Sequence, residues 1–332
     1  MASADTMRAA VLEGPKQPFK VMPVERPKPA AGQVLVRIAA SGVNPLDTKI
    51  RAGAAAHARH PLPSILGIDL AGAVEAVGAG VTSFREGDEV YGMTGGVGGV
   101  QGSLAEYAAV DATLLARKPA NLSMREAAAL PLIFITAWEG LVDRAHVRGG
   151  QNVLIHGGAG GVGHVAVQLA RSVGAKVFAT GSAKSLAYIE QLGATPIDYD
   201  KTSVEQYVAE HTGAKGFGLV YDNVGGATLD ASFNAIQRFG HVVSALGWGT
   251  HALAPLSFRG GTYSGVFTLL PLLTGEGRAH HGEIMREATR LAEAGQLRPR
   301  LDPRRFKLSN VAEAHAAIED RSAQGKIVVD IE

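Results

Sequence analysis

The chain has 332 residues, none of them cysteine, and only 6 % of them are aromatic. The lack of cysteine excludes disulfide bonds, thiolate metal sites and a cysteine nucleophile. It also fits a reducing compartment, so we expect a cytoplasmic protein. Charges of the two signs nearly cancel, with 32 basic and 31 acidic side chains. This balance argues against a nucleic-acid partner and against binding to an anionic membrane.

Long hydrophobic runs are missing as well. The longest apolar stretch, residues 127–138, is too short to cross a bilayer and contains a proline. Residues 1–15 lack a basic start followed by an apolar stretch, so we expect no signal peptide. The hydrophobic fraction of 46 % and the charged fraction of 19 % are those of an ordinary soluble globular protein.

The hydrophobic pattern changes near residue 123. Before it, short apolar runs such as QVLVRIAASGVN (33–44) and GDEVYGM (87–93) alternate with turn residues, which predicts a barrel or sandwich of short strands. The glycine-rich residues 92–103 predict a flexible loop, either a lid or plain surface. From residue 151 onward, strands and helices alternate, which predicts a parallel, doubly wound sheet. The length favours two domains, and the fold class is α/β.

Single elements can be predicted within the alternating region. The runs NVLIH (152–156), KVFAT (176–180) and GLVYDNVGG (218–226) predict strands. FNAIQRFG (233–240) predicts a helix that precedes the strand HVVSAL (241–246).

A glycine-rich segment, LIHGGAGGVGHVAVQLA (154–170), joins the first of these strands to a helix with an apolar stripe. Gly158, Gly160 and Gly163 have the spacing G-x-G-x-x-G, which in this context is typical of dinucleotide binding. The first glycine allows a tight turn, the second lets the main chain approach a pyrophosphate, and the third packs helix against strand. A P-loop is disfavoured because histidine, not lysine, follows Gly163, while a turn that serves packing alone is the remaining alternative. The predicted cofactor-binding residues of this loop are Gly158, Ala159, Gly160, Gly161, Val162 and Gly163.

The residues after the predicted strand KVFAT (176–180) indicate which dinucleotide binds. Sites that prefer NAD usually carry an acidic residue about 20 positions after the first glycine. Here the strand ends in Gly181 and Ser182, Lys184 follows, and the first acidic residue is Glu190, inside the next predicted helix. A hydroxyl and an ammonium suit the 2′-phosphate of NADP, so we expect NADPH. Alternatively, Ser182 is a helix N-cap and Lys184 a solvated residue of the first turn.

Several motifs follow one another over nearly the whole chain: SGVNPLDTKIRAG (41–53), PSILGIDLAGAVEAVGAGVTSFREGDEVYG (63–92), ITAWEGL (135–141), the glycine-rich segment, GLVYDNVGG (218–226) and QGKIVV (324–329). Their order resembles that of the medium-chain dehydrogenase/reductase superfamily, and most of all its zinc-independent quinone oxidoreductase-like branch. The resemblance implies a GroES-like β-barrel catalytic domain from residues 1–127 and 270–332, a Rossmann NADP-binding domain from residues 128–269, and an active site in the cleft between them.

The same resemblance implies roles for residues near the reacting end of the cofactor. Asn44 would lie beside the nicotinamide and the substrate, as the predicted catalytic residue, and would donate a hydrogen bond to a developing oxyanion. Thr136 would contact the nicotinamide. Alternatively, Asn44 is a plain turn residue, since it precedes Pro45.

Other residues are implied to hold the rest of the cofactor. Tyr199 and Arg321 match positions where relatives bind the 2′-phosphate, and Asn223 and Gly247 would line the cofactor. The alternatives are a surface aromatic for Tyr199 and a solvated charge for Arg321.

We expect no bound metal. Zinc enzymes of this superfamily carry a His–Glu pair where this chain has Ile68 and Asp69, and their cysteine-rich zinc lobe has no counterpart. Zinc needs three or four strong ligands. The compact His/acid cluster of His280, His281 and Glu283 lacks the spacing of a zinc motif.

These observations and the resemblance together imply hydride transfer from NADPH to a small electrophile, a quinone or an α,β-unsaturated carbonyl. Such acceptors need little help from a metal, because the arriving charge spreads onto oxygen. Two alternatives stay open: a relative of the zinc-type alcohol dehydrogenases that acts without metal on another carbonyl, and a catalytically weak NADPH-binding structural protein or sensor. Relatives commonly pair a sheet edge across a two-fold axis, so we expect a homodimer with residues 241–271 as the candidate edge.

Overall fold

The computed structural model describes residues 5–331 and divides the chain into two compact units. The first unit combines the chain up to Leu132 with the chain from Leu269 onward, and the second is Ile133–Thr268. The predicted boundaries lie at 127/128 and 269/270. The assignment of catalysis to one unit and of cofactor binding to the other stays a prediction.

The elements up to residue 117 are mostly strands, and strands and helices alternate from residue 152 to residue 265. The strands are β1 (Thr6–Leu12), β2 (Phe19–Glu25), β3 (Gln33–Gly42), β4 (Ser64–Ile65), β5 (Asp69–Val77), β6 (Glu89–Met93), β7 (Tyr107–Asp111), β8 (Ala116–Arg117), β9 (Asn152–Ile155), β10 (Lys176–Gly181), β11 (Thr195–Asp198), β12 (Phe217–Asp222), β13 (Ile236–Ser244), β14 (Thr262–Gly265), β15 (Phe306–Lys307) and β16 (Val328–Asp330). The α-helices are α1 (Pro45–Arg51), α2 (Met124–Ala128), α3 (Pro131–Trp138), α4 (Gly161–Ser172), α5 (Leu186–Gln191), α6 (Val204–Thr212), α7 (Ala227–Ala235), α8 (Ala254–Ser257), α9 (Leu270–Thr274), α10 (Arg278–Glu293) and α11 (Val311–Glu319). Short 3₁₀ turns and one π-helical segment connect some of these elements: Ala56–Ala58, Ala112–Leu114, Ala183–Ser185, Leu308–Asn310 and the π-helical Glu139–Arg144. Across residues 5–331, no helix has both the length and the apolar character that a membrane span requires.

The strands of the second unit form one parallel sheet. Their order is β11-β10-β9-β12-β13-β14. Counted from β9 as the first strand, this is the Rossmann order 3-2-1-4-5-6, in which ligands bind at the carboxyl ends of the strands where the order reverses. The predicted doubly wound parallel sheet is confirmed.

The central strands of this sheet are buried, as their sequences require. Val153, Leu154 and Ile155 of β9 have no exposed surface. Apolar runs without alternation are typical of parallel strands that are covered on both faces. Phe178 of β10 and Phe217 of β12 pack edge to face with ring centroids 5.3 Å apart. This contact lies toward the amino ends of the strands, because Phe217 is the first residue of β12.

The strands of the first unit form two sheets, and β3 is central to the larger one. β1 pairs with β2 and β4, while the larger sheet has the order β15-β16-β3-β5-β6-β8, with β7 also paired to β3. Gly42 at the end of β3 lies opposite Val328 of β16 and Asp69 of β5. This register brings together the residues after β3, the start of β5 and the segment before β16.

The helix predicted for residues 233–240 is wrong in its second half. Helix α7 ends at Ala235, and β13 begins at Ile236. Ile236 lies opposite Phe217 of β12 and is buried. Pairing with a neighbouring strand therefore overrides a short helical pattern.

The loop predicted for residues 92–103 is confirmed from residue 94 onward, where β6 has ended, but its placement on the surface is wrong, and a role as a lid stays a prediction. Thr94 and Val97 are buried. Gly96 has a φ of 71°, and a side chain there would come within 2.6 Å of the Gly67 carbonyl oxygen. The glycines of this segment thus permit close main-chain packing, which composition cannot distinguish from flexibility.

Candidate functional site

The glycine-rich segment after β9 forms a tight loop that leads directly into α4. Gly157 has a φ of 69°, which favours glycine, and its carbonyl oxygen accepts a hydrogen bond from the Gly160 N–H at 2.9 Å. Helix α4 begins at Gly161. The six predicted cofactor-binding residues of the loop therefore lie together at the carboxyl end of β9.

The glycines of the loop meet different surroundings. A Cβ on Gly158 would lie 2.5 Å from the Cβ of Ala179 on β10, and one on Gly163 would overlap the Gly157 carbonyl. A Cβ on Gly160 would meet only the Gly157 oxygen, at 3.1 Å. Close packing therefore explains the glycines at 158 and 163, whereas the one at 160 has a single close neighbour, the Gly157 oxygen.

The start of α4 can hold an anion. Its N-cap, Gly160, has no side chain that could cap the helix. The N–H groups of Gly161, Val162 and Gly163 belong to the first turn of the helix, where no carbonyl of the helix itself can accept them. They are therefore available to a ligand. Such a helix start attracts phosphate groups. The cradle therefore fits the diphosphate of a dinucleotide.

Two buried polar atoms near this loop have no hydrogen-bond partner within residues 5–331: Nε2 of His156 and Oδ1 of Asn223. The hydroxyl of Thr180 accepts from the Gly157 N–H at 3.2 Å and lies 3.1 Å from Nδ1 of His156. Burial lowers the pKa of His156 to about 4, although the carboxylate of Asp222 opposes this effect. The imidazole is therefore neutral at neutral pH, and both orphaned atoms can bond a polar ligand.

Asp222 was not predicted as a site residue, although it lies within the predicted strand GLVYDNVGG. It is the last residue of β12. It is fully buried, and its carboxylate accepts the Ser244 hydroxyl at 2.7 Å and the N–H groups of Val224 and Gly225 at 3.0 Å. These bonds fix the turn after β12. The amide of Asn223 in that turn donates to the His156 carbonyl at 3.3 Å. The predicted residue Asn223 is thus held beside the glycine loop.

Thr136 and Gly247 also belong to the second unit. Thr136 lies on α3 and is 6 % exposed, and its carbonyl oxygen accepts the Tyr221 hydroxyl at 2.6 Å. A side chain at Gly247 would overlap the hydroxyl of Tyr263. The need for glycine at 247 therefore has a packing cause, and its predicted contact with the cofactor stays a prediction.

Three residues of the predicted 2′-phosphate clamp lie at the carboxyl ends of neighbouring strands. Ser182 follows β10, and its hydroxyl does not cap the 3₁₀ turn that begins there. The exposed Lys184 has no ion pair among residues 5–331. Tyr199 follows β11, is 56 % exposed and donates its N–H to the Gly181 carbonyl at 3.3 Å. Ser182 and Lys184 thus follow β10 directly, and the main chain of Tyr199 contacts its end, whereas the predicted binding of a 2′-phosphate by their side chains stays a prediction.

Arg321 belongs to the first unit. It is exposed, follows α11 and has a φ of 59°. Its N–H donates to the Ile318 carbonyl at 3.2 Å, which ends the helix. The predicted role of its guanidinium in binding phosphate stays a prediction.

The first unit contains a buried polar cluster around the predicted catalytic residue Asn44. The Asn44 side chain donates from Nδ2 to Asp69 at 2.9 Å and accepts at Oδ1 from Nζ of Lys326 at 2.5 Å. Its main-chain N–H donates to Asp47 at 2.8 Å. Asn44 is 1 % exposed, and Asp69 is fully buried. The cluster joins the end of β3, the start of α1, the start of β5 and the segment before β16.

Burial determines the acidity of these groups. It raises the pKa of Asp47 to about 7, opposed by the Asn44 N–H, and the pKa of Asp69 to about 6, opposed by the charge of Lys326. Burial lowers the pKa of Lys326, opposed by both carboxylates. The opposite charges of Lys326 and the two carboxylates offset part of the cost of burying each group.

Sequence reasoning found Asn44 but missed Asp47, Asp69 and Lys326 as its partners. All three lie inside motifs quoted for the family resemblance, which is the one available signal. Nothing local indicates that Lys326 reaches Asn44, because the two residues are 282 positions apart.

The residues considered for metal binding form no metal site. Among residues 5–331, no group of three or more His, Cys, Asp or Glu side chains could hold a metal ion. Nδ1 of His280 bonds the carboxylate of Glu283 at 3.0 Å on an exposed part of α10, whereas His281 is buried. Asp69 belongs to the cluster around Asn44. A reaction without metal stays a prediction.

Comparisons with known families agree with this geometry. Residues 30–120 match the alcohol dehydrogenase GroES-like domain, and residues 192–329 match a family described as zinc-binding dehydrogenase. The prediction of a GroES-like domain beside the Rossmann sheet is confirmed. The fold and the loop thus define a class of enzymes, the nicotinamide-dependent dehydrogenases and reductases.

Individual relatives narrow this class. The chain is 36 % identical over 305 residues to the chloroplastic NADPH-dependent alkenal/one oxidoreductase of Arabidopsis thaliana, covering 90 % of this chain and 72 % of the relative. It is 32 % identical over 309 residues to the quinone oxidoreductase of Sus scrofa, covering 91 % and 90 %. An alcohol dehydrogenase superfamily protein from Novosphingobium aromaticivorans has a crystal structure that matches with a TM-score of 0.97 at 61 % identity, covering 98 % of this chain and 100 % of that one.

This chain therefore belongs to the medium-chain dehydrogenase/reductase superfamily, in its quinone oxidoreductase-like branch. It is an oxidoreductase, and its cofactor is a nicotinamide nucleotide.

Proposed function

We propose that this protein uses NADPH to reduce quinones or α,β-unsaturated carbonyl compounds. The names of its relatives describe these two reactions. The observation that carries the proposal is the glycine loop, in which a side chain at Gly160 would meet only the Gly157 oxygen and α4 presents uncapped N–H groups. A diphosphate fits this loop, and the orphaned polar atoms of His156 and Asn223 lie near it.

The residues that follow β10 support NADPH rather than NADH as the cofactor. Ser182 and Lys184 follow the strand where NAD sites carry an acid, and Tyr199 lies beside them. Lys184→Ala should raise the KM for NADPH about tenfold and leave the KM for NADH unchanged, since the lost ammonium pairs only with the 2′-phosphate. Lys176→Ala, at the opposite end of β10, is the control. Equal effects of Lys184→Ala on both cofactors would contradict this choice.

Bound NADPH supplies a hydride, while the chain orients the two reactants and provides the electrostatic environment of the reaction. We propose that the Asn44 amide donates its remaining Nδ2 hydrogen to the acceptor oxygen as negative charge develops there. Tyr91 is not proposed as a proton donor, because it is fully buried and its hydroxyl donates to the Met285 carbonyl at 2.9 Å. Water or a hydroxyl of the cofactor would then deliver the proton.

The test follows the absorbance of reduced nicotinamide in the presence of the purified full chain. We expect turnover with 1,4-quinones or with enones, a preference for NADPH, and unchanged rates in chelator. A panel of both acceptor classes with no turnover, although NADPH binds, would favour a structural protein or a sensor. Loss of activity in chelator, restored by zinc, would contradict the metal-free step.

A homodimer is proposed from the exposed edge of the second unit. β13 is an interior strand, and β14 pairs with β13 alone among the described strands. Phe239 and Phe258 are each 85 % exposed, and Phe239 is held at a φ of 61°, which is rare for an aromatic residue. Large exposed apolar groups beside an open sheet edge favour association of two copies.

Sedimentation velocity tests the dimer. The wild type should sediment as a dimer, and Phe258→Glu should sediment as a monomer. Met22→Glu, on the exposed strand β2 of the first unit, should leave the dimer intact. A monomeric wild type at micromolar concentration would exclude this interface.

We also propose a cytoplasmic location, supported by the absence of cysteine from the sequence. Cell fractionation with an antibody against the full chain tests it. Recovery in a membrane or organelle fraction would contradict the proposal.

A further inference from the structure

The side-chain amide of Asn44 has one neighbour that only donates and one that only accepts. Lys326 presents an ammonium to Oδ1 at 2.5 Å, and Asp69 presents a carboxylate oxygen to Nδ2 at 2.9 Å. An ammonium has no acceptor, and an ionised carboxylate has no donor. Rotation of the amide by half a turn would oppose donor to donor and acceptor to acceptor, so one orientation is strongly favoured.

Lys326 is itself fixed on several sides. Its Nζ also donates to the Val43 carbonyl at 2.9 Å, next to Asn44. Its main-chain N–H donates to the Arg300 carbonyl at 2.8 Å, and its carbonyl accepts from the Asp302 N–H at 3.0 Å. The ammonium therefore reaches Asn44 from a rigid main chain.

One hydrogen of the Asn44 amide is left over. Nδ2 carries two hydrogens, and among residues 5–331 Asp69 is its only acceptor. The other oxygen of Asp69 accepts a hydrogen bond from the Leu132 N–H at 2.9 Å. The cluster thus holds a buried amide with one free donor in a defined direction.

We propose that Lys326 is a positioning residue of the reduction: with Asp69 it fixes the Asn44 amide so that its free hydrogen points at the oxygen that gains negative charge. The ammonium also draws electron density toward Oδ1, which makes the free N–H a stronger donor. The inference rests on the proposed function for its substrate. The orientation of the amide can be tested without any substrate.

A double-mutant cycle tests whether Lys326 acts through Asn44. Lys326→Met keeps the length of the side chain and removes its hydrogen bonds. We expect it to lower kcat by about 10-fold to 100-fold and to change the KM for NADPH little, because misorientation of one catalytic group has effects of that size. Asn44→Ala should lower kcat similarly. Lys326→Met in the Asn44→Ala background should cause no further loss.

Lys118 provides the matched control. Its side chain is 6 % exposed, and Nζ donates to the carbonyls of Pro119 and Leu122 at 3.0 and 2.6 Å. Lys118→Met also removes a buried ammonium from the first unit, so a merely structural effect should appear there too. We expect it to leave kcat unchanged. A loss for Lys326→Met that adds fully to that of Asn44→Ala, or no loss at all, would overturn the proposal.

Nuclear magnetic resonance of asparagine side chains, labelled with ¹⁵N, gives a readout that needs no turnover. The Asn44 signals are identified by their disappearance in Asn44→Ala. In the wild type, the Nδ2 proton bonded to Asp69 should be shifted downfield and exchange slowly. Both features should be lost in Lys326→Met and kept in Lys118→Met, and their survival in Lys326→Met would overturn the proposal.

The two hypotheses can fail separately. A wild type that turns over no quinone or enone contradicts the proposed function, while the amide signals still decide whether Lys326 fixes Asn44. If Lys326→Met does not fold, Lys326→Gln takes its place under the same criteria. Its amide both donates and accepts, so it does not impose one orientation on Asn44.

Discussion

The hydroxyl of Tyr221 donates to the main-chain carbonyl of Thr136 across 2.6 Å. The bond ties the end of β12 to α3, the helix that carries the residue expected at the nicotinamide. Tyr221 has no exposed surface, and burial raises its pKa well above the usual range. The hydroxyl is therefore protonated and acts as a donor.

Tyr221→Phe should lower the free energy of unfolding by about 1 kcal/mol, because a buried hydrogen bond is lost without a change of shape. Tyr207→Phe is the control: Tyr207 is 3 % exposed, and its hydroxyl has no partner among residues 5–331. That change should be neutral or stabilising. Urea unfolding of both variants measures the difference. Equal destabilisation would show that the bond to Thr136 contributes nothing specific.

Gly160→Ala and Gly163→Ala should separate binding from packing. Gly160 has an extended main chain (φ −74°, ψ 178°), and an alanine Cβ would meet only the Gly157 oxygen, at 3.1 Å, so a small shift admits it beside the proposed diphosphate site. We expect stability close to that of the wild type and a Kd for NADPH that is weaker at least about tenfold, or about 1.4 kcal/mol. Gly163→Ala forces the Gly157 carbonyl to move and should lose stability as well as binding. Calorimetric titration and thermal unfolding report the two effects. Unchanged NADPH binding by Gly160→Ala would argue against a diphosphate in this loop.

Asp302 should make the free energy of unfolding depend on pH in the acid range. It is 3 % exposed and accepts from Nε and Nη2 of Arg304 at 2.8 and 2.9 Å and from the Gln324 N–H at 2.8 Å. The Arg304 guanidinium is the main cause that lowers the pKa of Asp302 from 3.8 to about 2. A lowered carboxyl pKa stabilises the fold above the unfolded value, and this stabilisation is lost as pH falls from about 4 to about 2.

Asp302→Asn should therefore lower the free energy of unfolding by about 2 kcal/mol at neutral pH, since one pKa unit corresponds to about 1.4 kcal/mol. The difference from the wild type should stay constant down to pH about 4 and shrink below it. Denaturant unfolding at several pH values measures it. A difference that does not change with pH would mean that charge pairing is not the cause.

His315 should also make the free energy of unfolding depend on pH, but at higher pH than Asp302. It is fully buried, packs edge to face on Phe19 at 5.1 Å, and neither ring nitrogen has a hydrogen-bond partner within residues 5–331. Burial, with a smaller effect from the charge of Arg51, lowers its pKa from 6.5 to about 3. The unfolded chain then binds the proton more tightly, so stability falls as pH drops below about 6.5, by up to about 1.4 kcal/mol per pH unit.

His315→Leu should remove this dependence. The difference in free energy of unfolding between wild type and variant isolates His315, because the contributions of other titrating groups cancel. His57→Leu, at an exposed position, should keep the wild-type slope. Parallel slopes for wild type and His315→Leu between pH 6.5 and 4 would contradict the prediction.

The features that were predicted correctly are local in the sequence. The glycine spacing from 158 to 163 and the apolar run of β9 fixed the loop and its sheet, since turn geometry and two-sided burial each act over a few residues. The helix predicted for 233–240 failed because Ile236 pairs with β12, a contact that periodicity cannot reveal. The surface position predicted for the loop at 92–103 was wrong because Gly96 packs against Gly67, whereas glycine alone indicates only freedom of the main chain.

The residues alone determined the α/β class and the tight glycine loop before α4, because each depends on residue types that lie close together in the chain, whereas binding of NADPH by that loop and by the end of β10 stays a prediction. The tertiary structure decided which groups meet Asn44. Lys326 and Asp69 approach it through the register of β16, β3 and β5, in which Gly42 lies between Val328 and Asp69. A shift of one residue in that pairing would turn these side chains to the other face of the sheet, and no local pattern specifies the pairing of strands so far apart.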